Sequence, residues 1–156
     1  MSKFGDESEF DRFLEILSPI VPTVVPLQPG KKIPAVRWKD LGPGVRVPDF
    51  HDTEARAILT GPRSGGIFVI DVDIRAHGLE SLERLENEHG ALRQTLTVRS
   101  PTGGLHIYLV HPNPSGVRSV GNYRPGVDLR GAGGIVVVPG SVHPKGGIYR
   151  IEDVPA

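Results

Sequence analysis

The sequence predicts an α/β (α+β) domain, a sheet with helices laid against it. Three observations carry that prediction. Apolar residues recur at helical spacing in two stretches, Phe10, Phe13, Leu14, Leu17 and Leu79, Leu82, Leu85. Short β-branched runs bounded by glycine or proline lie between and after them, as strands do. The chain has 156 residues, enough for one domain with a real core, and its 20 glycines and 15 prolines imply many turns.

In chain order, Asp6 to Leu17 reads as an amphipathic helix, capped by Asp6 or Ser8 and ended by Ser18-Pro19. Thr23 to Leu27 is a short strand leading to Pro29-Gly30-Lys31-Lys32-Ile33-Pro34, a turn with two adjacent cations, and then Trp38. Residues 41–50 should be irregular, and Thr53 to Leu59 should form a short helix stopped by Gly61-Pro62. Gly66 to Asp73 is a strand. A helix follows, with Leu79, Leu82 and Leu85 as its buried stripe and Gly90 as its C-cap. Thr95 to Arg99, the turn Ser100-Pro101-Thr102-Gly103-Gly104 and Leu105 to Val110 form a hairpin. Residues 126–131 and 133–139 are further strands. The polar loop 140–147 then leads into residues 148–151, which pair back as a hairpin strand.

The central stretch is Gly66-Ile67-Phe68-Val69-Ile70-Asp71-Val72-Asp73. Side chains alternate along a strand, so Asp71 and Asp73 share a face. Two carboxylates about 4 Å apart repel by roughly 4 kcal/mol at an effective dielectric near 20. A divalent cation such as Mg²⁺, with its preference for hard oxygen ligands, removes that penalty.

Composition bounds the function. The chain has no cysteine, which excludes disulfides and thiolate zinc sites and fits a reducing cytoplasm. No apolar run is long enough to span a membrane, and the N-terminus through Glu7 has no signal-peptide core. Net charge is zero but uneven. Residues 1–90 carry 11 Lys and Arg against 15 Asp and Glu, and residues 91–156 carry 7 against 3. The second part suits phosphates better than a long duplex.

Three features combine: Asp71 and Asp73 on one strand, His106 after a Gly-Gly turn on a second, and Asp128 on a third. Each lies beside apolar residues, so each should turn its polar group to the face opposite the core. If the strands adjoin, the groups converge. Carboxylates around one or two Mg²⁺ ions, with cations beside them, suit nucleotidyl transfer.

At these residues the sequence resembles the primase–polymerase branch of the archaeo-eukaryotic primase superfamily, from about Val24 to Tyr149. The matching pieces are Ile70-Asp71-Val72-Asp73, Gly104-Leu105-His106, Val127-Asp128-Leu129-Arg130-Gly131 and the loop Val138-Pro139-Gly140-Ser141-Val142-His143-Pro144-Lys145-Gly146. The Lys31-Lys32 turn and Trp38 match the entry region. The resemblance implies an RRM-like mixed or antiparallel sheet with flanking helices, fused to a small N-terminal αβ unit. Residues 1–156 would then be a single catalytic domain, the N-terminal part of a longer replication protein. The activity implied is DNA priming and polymerisation with Mg²⁺ or Mn²⁺, two ions in the active complex. Asp71, Asp73 and Asp128 would bind the metals and His106 the incoming nucleotide. Ser100, Gly104, Arg130, Ser141, His143 and Lys145 would be further nucleotide contacts, and Lys31, Lys32 and Trp38 template or phosphate contacts. Implied partners are a single-stranded DNA template, a primer, dNTP or NTP, and a helicase domain or subunit. The implied setting is phage or plasmid replication in a bacterial cytoplasm. Two rivals remain: a D-x-D glycosyltransferase, which leaves His106 and Asp128 unexplained, and a non-catalytic nucleotide- or nucleic-acid-binding module.

Overall fold

A computed structural model describes residues 3–155; Met1 and Ser2, the start of the N-terminal stretch read above, and Ala156 lie outside the described residues. Helix α1, Glu7–Leu17, starts where the Asp6 carboxylate accepts the Glu9 N–H at 3.1 Å and stops at Ser18. It buries Phe10 and Phe13 completely. The strands are β1 (Val24–Pro26), β2 (Arg56–Leu59), β3 (Ile67–Asp73), β4 (Thr97–Arg99), β5 (Gly104–Val110), β6 (Val120–Arg124), β7 (Val127–Arg130), β8 (Ile135–Val137) and β9 (Arg150–Asp153), with helix α2, Gly78–His89, between β3 and β4.

They form two antiparallel sheets: three strands in the order β1-β2-β8, and six in the order β6-β7-β3-β5-β4-β9. The fold is therefore α+β. The small sheet is not a separate N-terminal unit, because its third strand, β8, comes from the other end of the chain. One apolar cluster joins both sheets and α1: Phe10, Phe13, Val25, Ile58 and Val136 pack with Ile67, Val69, Val98 and Tyr108 of the large sheet. The Phe13 and Tyr108 rings meet edge to face at 5.4 Å. Helix α2 lies on the other face of the large sheet, against β3 and β7.

Several expectations are corrected. Residues 53–59 do not form a helix; Arg56–Leu59 is β2, buried along its whole length between β1 and β8. Burial on both sides and two ladders outweigh the helical propensity of Glu54-Ala55-Arg56-Ala57. Ile148 and Tyr149 do pair back on residues 140–142, but the regular strand begins only at Arg150 and pairs with β4 of the large sheet. Leu79 is 42 % exposed; α2 is seated through Gly78 and Ser81, whose hydroxyl donates to the Pro125 carbonyl at 2.6 Å, with Leu82 and Leu85 half-buried. The carboxylates do not face away from the main core. Register places Asp71 and His106 on the face that carries Val69 and Tyr108, so site and core divide one surface lengthwise.

Candidate active site

The register of the large sheet builds the site. Asp71 on β3 lies directly opposite His106 on β5 and directly opposite Asp128 on β7. Facing residues on adjacent strands stand side by side, their Cβ atoms about 5 Å apart. Asp128, Asp71 and His106 therefore form one row across three strands. Asp73 points the same way two residues further on, and its cross-strand partner is Gly104, which adds no side chain there. The preceding row, Arg130–Val69–Tyr108, closes the site from the core side.

The row floors a cleft of about 740 Å³. Its walls bring together most of the residues singled out above: Asp71, Asp73, Asp128, His106, Ser100, Gly104, Lys31, Lys32, His143 and Lys145. Three do not line it: Ser141, Trp38 and Arg130. Ser141 is completely buried; its hydroxyl accepts the Arg56 N–H at 3.0 Å and donates to the Arg56 carbonyl at 3.2 Å, so it fastens the loop to β2. Trp38 packs half-buried against the core, with the Arg63 guanidinium 5.8 Å from its ring centroid. Arg130 stands behind the floor and contacts two of its carboxylates. Its Nη2 donates to Asp128 Oδ2 at 3.0 Å and sits 3.5 Å from Asp71 Oδ2. The guanidinium thus supplies the positive charge that this carboxylate pair requires. Among the described residues, no three His, Asp or Glu side chains stand grouped closely enough to hold a metal as they are.

The remaining carboxylate oxygens are partly committed. Asp73 accepts the Arg75 N–H at 3.0 Å, capping the short turn Ile74–Ala76. Asp128 Oδ1 accepts the Asn122 N–H at 2.7 Å. Gly78 and Gly126 meet backbone to backbone beside the site: a Cβ on Gly78 would stand 2.5 Å from the Gly126 carbonyl oxygen and 2.7 Å from that of Asp73. That approach, with the Asp73 N–H donating to Gly126 at 2.7 Å, pins the end of β3 to the β6–β7 turn.

His106 Nε2 lies 3.7 Å from Asp71 Oδ1, too far for a hydrogen bond. Burial holds the imidazole pKa below its ordinary value. Asp71 opposes that shift, and the Lys32 and Arg130 charges reinforce it. His106, Tyr149 and His143 form a ladder of rings, with centroids 6.0 and 5.7 Å apart. His143 Nδ1 accepts the Lys145 N–H at 3.0 Å, which leaves the proton on Nε2. Its pKa is also lowered, first by burial and then by Lys32 and Lys145. Tyr149 and Arg75 line the cleft, as does Asn122, although sequence reasoning assigned none of them to the site. Asn122 sits at φ +55°, a conformation that asparagine tolerates better than most residues, but residues 111–125 carry no regular alternation that would have drawn attention to it.

Comparison with known proteins fits this geometry. No curated protein matches the chain. Residues 21–156 match the family described as bifunctional DNA primase/polymerase, N-terminal. That match covers nearly the whole chain, which therefore belongs to the Prim-Pol family.

Proposed function

We propose that this domain is a metal-dependent nucleotidyltransferase that extends, and initiates, primers on a single-stranded DNA template. Family membership supports a primase/polymerase-type function in general terms. The observation that carries the finer reading is the Asp128–Asp71–His106 row, with Asp73 beside it, at the floor of a cleft walled by Lys31, Lys32 and Lys145.

The chemistry of the donors, though not their present spacing, suits Mg²⁺ or Mn²⁺. Asp71, Asp73 and Asp128 offer hard carboxylate oxygens from adjacent positions on one face. These residues would hold one or two ions, which when bound acidify the attacking hydroxyl and spread charge off the phosphates. The protein's own groups do the rest. Lys31, Lys32 and Lys145 neutralise the triphosphate, and a neutral His143 donates from Nε2. His106, kept neutral by burial, presents a donor to the phosphates without adding a second charge beside Arg130. The primer 3′-oxygen bonds the α-phosphorus, the α–β bridging bond breaks, and pyrophosphate leaves along the lysine wall. Partners in this reading are template, primer, dNTP or NTP, and a helicase domain or subunit in phage or plasmid replication.

The test is primer extension and de novo priming with Mg²⁺ or Mn²⁺. Asp71→Asn and Asp128→Asn should abolish nucleotide addition, whereas His106→Ala should chiefly raise the KM for dNTP. Asp71→Asn extending primers as fast as the unaltered chain would sink the catalytic reading and leave a binding module.

A further inference from the structure

We propose that strand β6 is the seat of the single-stranded DNA, with the exposed ring of Tyr123 as a base-stacking platform and Arg124 as its phosphate contact. The inference rests on the polymerase reading for the kind of partner and adds where that partner lies.

Strand β6 is the outer strand of the large sheet, next to β7, and all five of its residues are exposed. Its pairing with β7 is broken. Val120 faces Leu129 and Arg124 faces Val127, so Gly121, Asn122 and Tyr123 together oppose the single residue Asp128. A bulge of this kind re-aims side chains and is common next to active sites. Here it bows the strand so that the Asn122 N–H reaches the Asp128 carboxylate at 2.7 Å while Tyr123 as a whole stays 38 % exposed. The Arg124 guanidinium lies 4.5 Å from that ring's centroid, and its Nη1 donates to the Tyr123 carbonyl at 2.8 Å. An exposed aromatic ring backed by a guanidinium offers a flat surface to a base and a charge to the adjoining phosphate.

Charge and continuity point the same way. From His111 through Val127 the chain contains Arg118 and Arg124 and no acidic residue. A shallow groove of about 450 Å³ runs along Tyr123, Arg124 and Pro125. It shares Ala76, Asn122 and Gly126 with the catalytic cleft, so the two adjoin. Arg75, next in sequence to the shared Ala76, lines the cleft. The lysines of the triphosphate wall are on other loops, 28–33 and 140–147. The cleft thus has two separate cationic borders flanking its acidic floor, and a strand leaving the carboxylates past Asn122 meets Tyr123 next.

The test is fluorescence anisotropy of labelled single-stranded DNA, measured against an abasic strand of equal length, with no nucleotide present. Tyr123→Ala should weaken DNA binding by about 5- to 100-fold and leave the abasic strand almost unaffected, and Tyr123→Phe should restore binding. Arg124→Ala should flatten the dependence of log affinity on log salt by about 0.7, the release expected for one phosphate of a single strand, and Arg124→Lys should recover it. Both side chains are exposed, and an unchanged melting temperature shows that each variant is folded. The assignment is overturned if Tyr123→Ala binds DNA within twofold of the unaltered chain, or loses both ligands equally. It is also overturned if the variant instead abolishes self-association of the chain through this edge with DNA affinity intact. The assay involves no turnover, so a failure here leaves the Asp71→Asn extension result standing, and the reverse holds too.

Discussion

Replacing Arg130 by methionine removes the guanidinium that Asp71 and Asp128 share, at 3.5 and 3.0 Å. The two carboxylates are cross-strand neighbours. At about 5 Å and an effective dielectric near 20, their bare repulsion is roughly 3 kcal/mol. The three side chains are 27–38 % exposed, so solvent screens much of that, and pairs in such settings are worth about 1 kcal/mol. For a chain of this size, that corresponds to a melting temperature lower by about 2–4 °C. The assay is thermal unfolding in EDTA and across a Mg²⁺ or Mn²⁺ titration. In EDTA, Arg130→Met should melt below the unaltered chain, and the gap should narrow at high salt. On adding cation the variant should gain more stability than the unaltered chain, because no guanidinium has to be displaced from the carboxylates before the ion binds. Equal melting in EDTA with equal cation-induced rises would refute the argument that Arg130 is the counter-ion of the acidic pair.

Arg56→Met should cost about 3–5 kcal/mol in urea unfolding: the guanidinium is 3 % exposed, lies 3.7 Å from the Phe4 ring centroid, and binds Glu7 and Asp49 at 2.5 and 2.6 Å. A loss under 1 kcal/mol would show that the pair contributes no more than a surface bridge. The Asp6 carboxyl is held at about 2, below its ordinary 3.8, by the Ser8 hydroxyl, then the Arg150 guanidinium, then the Glu9 N–H. Because its folded pKa is depressed, its contribution is fully present above pH 4 and disappears as pH falls through about 2. The stability advantage over Asp6→Asn should therefore be flat at neutral pH and shrink between pH 4 and 2; an advantage that does not change with pH would exclude the charge as its source. The Tyr108 hydroxyl is buried without a partner among the described residues, so Tyr108→Phe should be neutral or stabilising by about 1 kcal/mol in urea melts. A clear loss would mean that the hydroxyl is bonded through water.

Much of this site could be read from pattern. Asp71 and Asp73 follow from strand alternation, and the apolar residues flanking His106 and Asp128 place both on strands. Pairing of those strands, and so the single row, needed the fold. Residues 53–59 misled because helix propensity is local whereas the burial that makes β2 a strand comes from β1 and β8, each distant in sequence. Ser141 misled because a loop serine in a binding motif looks available, whereas here its hydroxyl is used up on the Arg56 backbone. Strand β6 gave no signal because an exposed, bulged edge strand needs neither alternation nor apolar residues.

The position of the acidic row explains how a polar site is kept rigid. On β3 the same face is apolar at Ile67 and Val69, both at most 1 % exposed, and acidic at Asp71 and Asp73. Two residues of strand, under 7 Å, carry the surface from dry core to open cleft. The buried half fixes the strand's register, since a slip by one residue would bring Phe68 and Ile70 onto this face and turn the carboxylates away from it. The two rows at this boundary bear the cost. His106 Nδ1, in the floor row, and the Tyr108 hydroxyl, in the row behind it, are buried with no partner among the described residues. Leaving such groups unpaired costs about 1–3 kcal/mol each, a penalty that a purely structural sheet would shed by placing phenylalanine or leucine at both positions. An imidazole retained at that depth, neutral and backed by Tyr149, suits the proposed reading, in which it would meet a phosphate from a fixed position.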